Sequence, residues 1–216
     1  VQEQHKNARA MKVMVNSILV VALGIAVLFV STNGFSAFTS EGVRRLKIRN
    51  NPVDLPHVPL VNSTGDTFYI QSFKDKSVLV DFIFTNCSSL CPMVTENFKL
   101  LHKKLQESSL KDEVVLLTIS FDPERDTPSV LKRYGDSAGA RESSWYFATV
   151  KNKETLQELL DVYGIVVIPA ANGQFEHNSA IHLVDTSGKL AKIYDYDAIN
   201  EIVQDLGASN RALQYK

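Results

Sequence analysis

The sequence predicts an α/β domain, a central mixed sheet flanked by helices, carried behind one membrane-spanning N-terminal helix. Three observations lead there. Apolar, β-branched runs recur ahead of capped helical patterns; a hairpin and a last helix close the chain; and no charged residue falls between Val13 and Ser40. At 216 residues with 44% hydrophobic content, the chain can bury one good-sized core beside a small appendage. The formal net charge is −1, with Lys6, Arg9 and Lys12 against Glu3 near the start and −3 left for residues 41–216. So mild a balance gives no footing for nucleic-acid binding.

The stretch Ile18 to Val30 is apolar apart from Gly24. A spanning helix needs roughly 20 residues, and a secretory h-region about 7–15. Residues 13–34 meet the first requirement and are read as an uncleaved anchor, although the small residues Ser36 and Ala37 follow. Lys6, Arg9 and Lys12 lie nearer the span than Arg44, Arg45, Lys47 and Arg49 beyond it. The positive-inside tendency then places residues 1–12 in the cytoplasm and the domain outside. The expected location is the inner membrane, single-pass, with the domain on the periplasmic side. Residues 35–59, polar, basic and broken by Pro52, Pro56 and Pro59, read as a tether to a domain over 60–210.

Within that domain, Leu60 to Ile70 reads as a hairpin around Ser63-Thr64-Gly65-Asp66. Val78 to Phe84 is a buried strand feeding a helix through Phe98, Leu101 and Leu105, on which Leu100 and Leu105 are expected to pack into the core. A second buried strand, Val114 to Phe121, is followed by Asp126-Thr127-Pro128, a polar cap with proline at the first helical position, opening a helix to about Tyr134. Tyr146 to Val150 is a third strand, and Asn152 opens a helix over 153–163 that Gly164 closes. Strands Ala180 to Asp185 and Leu190 to Tyr194 flank the turn at Thr186-Ser187-Gly188-Lys189, and a last helix spans Asp197 to Leu206. This order describes a domain in the thioredoxin style.

Cys87 and Cys91, the two cysteines of the chain, stand between a buried strand and a helix. A disulfide there would close too short a loop to stabilise a fold much, so their role is read as chemical. The helix N-terminus is expected to stabilise thiolates, and a spacing of four within the first turn brings both sulfurs to one face, able to share an ion or to form a disulfide. Dithiol exchange more commonly uses Cys-x-x-Cys. Outside the cytoplasm such a site needs either a reductant or a metal that occupies it.

The run Phe84-Thr85-Asn86-Cys87-Ser88-Ser89-Leu90-Cys91-Pro92 resembles the cysteine motif of the SCO/SenC family. Asp122-Pro123-Glu124-Arg125-Asp126-Thr127 is similar to that family's D-P-x-R-D-T signature, and Glu176-His177-Asn178 ahead of a strand and Gly188 falls at its histidine spacing. The resemblance covers residues 60–206. Ser88 and Ser89 depart from it, since proline and often aspartate follow the first cysteine in the family. Ser179 stands where thioredoxin relatives carry a cis-proline, as in SCO proteins, which argues against a general disulfide oxidoreductase.

The resemblance implies a thioredoxin-like fold and a copper ion held by Cys87, Cys91 and His177, a soft, low-coordinate set suited to Cu(I). It implies a metallochaperone for the dinuclear copper site of a respiratory cytochrome c oxidase, with the copper-bearing oxidase subunit as partner. The alternative is an extracytoplasmic thiol-disulfide reductase in which Cys87 and Cys91 are the redox-active pair; a peroxidase is the least favoured reading. His5 falls in the cytoplasmic tail and His57 in the tether. His102 is read as solvated or packing, and His182 as a core or rim residue. In the D-P-E-R-D-T segment, Asp126 or Thr127 is expected to cap the next helix and Arg125 to pair with a carboxylate; docking of a partner is the other reading.

Overall fold

The computed structural model describes residues 2–31, 39–73, 75–87, 90–140 and 143–214. Ser36, Ala37, Ser88 and Ser89 lie outside them, as do the side chains of Glu3, His5, Lys6 and Arg9. The chain forms two compact units, Val1–Lys47 and Ile48–Lys216.

The first unit holds helix α1 (Gln2–Ser31), whose apolar side chains from Ile18 to Val30 are exposed. Among the described residues no helix is long and apolar enough to cross a membrane. The expected tether carries structure of its own: helix α2 (Ser40–Asn50) and the short strand β1 (Val53–Asp54). Thr39 Oγ1 accepts the Gly42 amide at 3.0 Å, and Glu41 pairs with Arg45 at 3.1 Å one helical turn on. A cap and an i,i+4 ion pair are local helix signals that proline counting overlooks.

The second unit is built on strands β2 (Leu60–Asn62), β3 (Thr67–Phe68), β4 (Ser77–Ile83), β5 (Val114–Ser120), β6 (Trp145–Val150), β7 (Val167–Pro169), β8 (Phe175–His177), β9 (Ala180–Val184) and β10 (Lys189–Asp195). Helices α3 (Leu90–Gln106), α4 (Pro128–Ala138), α5 (Lys153–Tyr163) and α6 (Ile199–Gln214) connect and flank them. Eight strands form one mixed sheet in the order β1-β10-β9-β4-β5-β6-β2-β3, in which β4, β5 and β6 run parallel and the remaining pairs antiparallel. Parallel central strands are covered on both faces, so β4 and β5 are apolar almost throughout. Val78, Val80 and Phe82 pack with Leu159 and Tyr163 of α5 on one face. Leu79 and Leu116 pack with Phe98, Leu101 and Leu105 of α3, Leu131 of α4 and Ile202 of α6 on the other. Each such side chain, fully buried, contributes roughly 1.5–3 kcal/mol.

Three boundaries or faces differ from the expectation. Leu100 is 47% exposed and Leu101 fully buried, because Phe98, Leu101 and Leu105 share the i, i+3, i+7 face and Leu100 is turned 100° away from it. Helix α4 continues past Tyr134 to Ala138, since Gly135 serves there as a contact residue. A Cβ on it would lie 3.0 Å from the Phe147 ring, so its lack of one lets the helix settle on β6. Strands β7 and β8 form a separate two-stranded sheet from a segment expected to be loop. Three residues are too few for a period of two to show, and Pro169 inside the run argues against a strand.

Candidate metal centre

Strand β4 delivers the cysteine loop to the end of the sheet. Phe84 O accepts the Cys87 amide at 3.3 Å, closing a turn, and helix α3 then places the buried Cys91 in its first turn. The Cys91 amide, one of the helix's unpaired N-terminal donors, points at Cys87 Sγ, 3.3 Å away. A sulfur thus stands where an N-cap oxygen commonly does.

The loop is held from below by Asp126, which is fully buried and accepts the Thr85 amide at 2.9 Å together with the Thr85 and Ser120 hydroxyls. The N-cap of α4 is Thr127, with no side-chain cap bond. Asp126 serves the cysteine loop in place of the expected helix cap. Arg125 pairs with the Asp122 carboxylate, as expected of it.

His177 arrives on the β7–β8 sheet. Its Nε2 lies 3.4 Å from Cys91 Sγ, and its Nδ1 lies 3.0 Å from the Asn178 carbonyl. A carbonyl oxygen only accepts, so Nδ1 carries the proton and Nε2 presents its lone pair to the sulfurs, the arrangement a metal-binding imidazole requires. Asn178 fastens the base of the sheet, accepting the Val166 amide at 2.7 Å and donating to Gly164 O at 2.9 Å. Phe121, with its centroid 4.9 Å from the imidazole, and Phe84, at 6.2 Å, wall the ring on one side.

Burial sets the proton states. It pushes the Cys91 thiol well above its ordinary value, assisted by the hydrogen bond with Cys87 and only partly offset by a backbone contact at Phe84. At Cys91 this desolvation of the charged form opposes the thiolate stabilisation expected of the helix N-terminus. Burial also holds the His177 pKa below its usual value, so this ring is neutral at pH 7. Asp81 on β4 is fully buried, and desolvation raises its pKa to about 7. Thr118 stands opposite it and favours the ionised form to a lesser degree, while accepting the Trp145 Nε1 proton at 3.0 Å. A lone aspartate in the apolar run 78–84 was the signal that could have singled it out.

The sulfurs of Cys87 and Cys91 and a ring nitrogen of His177 all lie within 4.8 Å of one another. That is close to twice a metal–sulfur bond of about 2.3 Å, so one ion can reach all three with little adjustment. No other such cluster occurs among the described residues. His102 is buried against Ser144 Oγ at 2.8 Å, His182 is buried with Nε2 3.0 Å from Tyr163 O, and His57 stacks on Tyr69 at 3.9 Å.

A profile of the SCO1/SenC family matches residues 53–208. The chain belongs to the SCO1/SenC family. Among its SCO relatives, the SCO1 protein homolog of Bacillus subtilis is 32% identical over 146 residues, covering 67% of this chain and 74% of that protein. BsSco, described as a Sco-family cytochrome c oxidase assembly protein with a disulfide switch, superposes with a TM-score of 0.62 at 28% identity, covering 73% of this chain and 94% of its own. Copper-bound yeast Sco1 superposes with a TM-score of 0.60 at 23% identity over 74% of this chain and 94% of that one, a likeness of fold. The thioredoxin-like mixed sheet expected from the order of elements, and the SCO/SenC membership expected from the motifs, are thus both shown.

Proposed function

We propose that this chain binds one copper ion through Cys87 Sγ, Cys91 Sγ and His177 Nε2 and delivers it to the copper-bearing subunit of a respiratory cytochrome c oxidase. The observation that carries the reading is the convergence of two sulfurs and one imidazole nitrogen within 4.8 Å. Thiolate and imidazole donors in a low-coordinate set match the softness of Cu(I), and the aromatic wall keeps competing water from one side. The copper of yeast Sco1 and the oxidase assembly role named for BsSco support the cargo and the recipient. Taking up the ion requires Cys91 to surrender its proton, so binding releases acid.

Membrane anchorage by residues 13–34 belongs to the same proposal, with the domain on the periplasmic side of the inner membrane. The exposed apolar side chains of α1 support it. A second reading, reduction of disulfides in the oxidase subunit, is favoured by one observation: two cysteine sulfurs within 4.8 Å of each other, with the Cys91 amide on the Cys87 sulfur. The two are separated by mixing the Cu(I)-loaded full chain with a reduced thiol peptide, and the metal-free reduced chain with an oxidised one, and following both metal and disulfide, the chain's two thiols passing to a Cys87–Cys91 disulfide if they reduce the peptide. Metal transfer to the reduced peptide supports the chaperone. Disulfide reduction without metal transfer supports the reductase.

A further inference from the structure

The three donors come from two separately built pieces of chain, and one side chain ties the histidine-bearing piece to the turn whose Asp126 holds the cysteine loop. Arg125, in the turn after β5, donates from Nη1 to Gly173 O at 2.6 Å, lays its guanidinium over the Phe175 ring with 5.1 Å to the centroid, and pairs through Nε with Asp122. Gly173 and Phe175 belong to the connection and second strand of the β7–β8 sheet, which ends at His177. The fit is specific on both sides: Gly173 has φ of +70°, and a Cβ on it would lie 2.7 Å from Arg125 Nη1. Phe175 then packs edge-on against Phe84 and Phe121, the rings that wall His177. Gln174 Nε2 donates to Asn86 O at 3.0 Å, a polar tie from this sheet to the cysteine loop beside the approach of His177 Nε2 to Cys91 Sγ.

We propose that Arg125 is the positioning residue that latches the β7–β8 sheet onto the 122–126 turn, whose Asp126 holds the cysteine loop, and so sets whether His177 completes the donor set. The proposal rests on the copper-site reading above and adds to it a selectivity between oxidation states. Two thiolates alone satisfy a linear Cu(I) ion, whereas Cu(II) prefers further nitrogen or oxygen donors. Releasing the latch therefore costs Cu(II) affinity and spares Cu(I). The neighbouring ion pair of Glu124 and Lys153 is exposed and touches neither ligand-bearing piece, which makes it the matched control.

The test compares the full chain with Arg125→Met, His177→Ala and Lys153→Met. Aqueous Cu(II) and chelator-buffered Cu(I) are titrated, the Cu(II) spin-resonance spectrum is recorded, and hydrogen exchange is measured on the metal-free protein. Arg125→Met is expected to lose at least tenfold in Cu(II) affinity with Cu(I) within threefold, to shift the spectrum toward that of His177→Ala, and to raise exchange at least tenfold in 167–177 while β4 and β5 stay protected. A tenfold loss confined to Cu(II) raises the one-electron potential of the bound ion by about 59 mV. Should Arg125→Met not fold, Arg125→Lys keeps the charge beside Asp122, loses the planar fork, and is expected to lose at least threefold for Cu(II) alone. Equal loss for both oxidation states, a wild-type spectrum, or unchanged exchange in 167–177 would overturn the latch. A wild-type chain that takes up no copper would instead overturn the copper reading, and the exchange measurement would still decide the latch.

Discussion

His177 Nε2 faces Cys91 Sγ across 3.4 Å, joining two residues 86 positions apart in the chain. Neither ring nor sulfur is ionised by its surroundings: burial raises the thiol's pKa and lowers the imidazole's. The pair is therefore a neutral acceptor that would become a strong ligand set once an ion displaces the thiol proton.

Each sulfur supplies an anionic soft donor that no neighbouring group can replace. Cys87→Ser and Cys91→Ser are each expected to weaken Cu(I) binding at least a hundredfold, about 2.7 kcal/mol, in a chelator competition titration. Tight binding retained by either variant would remove that sulfur from the site.

His177→Ala is expected to weaken Cu(II) binding at least tenfold more than Cu(I) binding. His182→Ala should leave both affinities within about threefold, roughly 0.7 kcal/mol, because His182 lies against Tyr163 and Phe82 in the core. Its cost appears in folding instead: loss of the contact to the Tyr163 carbonyl in a buried site lowers stability by about 1–3 kcal/mol in denaturant titration. Matching copper losses in both variants would show that the histidines had been assigned the wrong roles.

Asp81 makes metal-free stability depend on pH. Its folded pKa of about 7 lies above the ordinary 3.8, so its contribution is fully present below about pH 4 and is lost as pH rises through 7. The full swing is on the order of 4 kcal/mol. Asp81→Asn, which cannot ionise, should lack this component when unfolding is followed by denaturant titration from pH 4.5 to 8 with a chelator present. Parallel pH profiles for the two proteins would mean that Asp81 is ionised in the fold at ordinary acidity.

Asp126 holds three buried or half-buried donors, the Thr85 amide and the Thr85 and Ser120 hydroxyls. Asp126→Ala strands all three and is expected to destabilise the domain by about 3 kcal/mol, visible as a lower denaturation midpoint at unchanged slope. A loss below about 0.5 kcal/mol would show that water takes over these bonds.

The sheet and its helices were legible where the chain carries a local period. The covered strands β4 and β5, the helix opened at Pro128, and the helix between Asn152 and Gly164 lie within a few residues of their expected places. Cys87 and Cys91 stood out through spacing alone, and His177 through its resemblance to a family motif. What stayed hidden is non-local or too short to show a pattern. Arg125 meets Gly173 across 48 positions. No periodicity announces that contact, and the three-residue strands that carry Phe175 and His177 leave no period to read. Leu100 and Leu101 show the limit of pattern reading within a helix: both are leucine, and only the phase set by Phe98 and Leu105 decides which one is buried.

X-ray absorption at the copper edge tests the central claim most directly. The full chain loaded with one equivalent of Cu(I) is expected to show two sulfur neighbours and one nitrogen, reduced to a single sulfur in Cys91→Ser. A first shell of nitrogen and oxygen alone, or a sulfur count unchanged in Cys91→Ser, would contradict it.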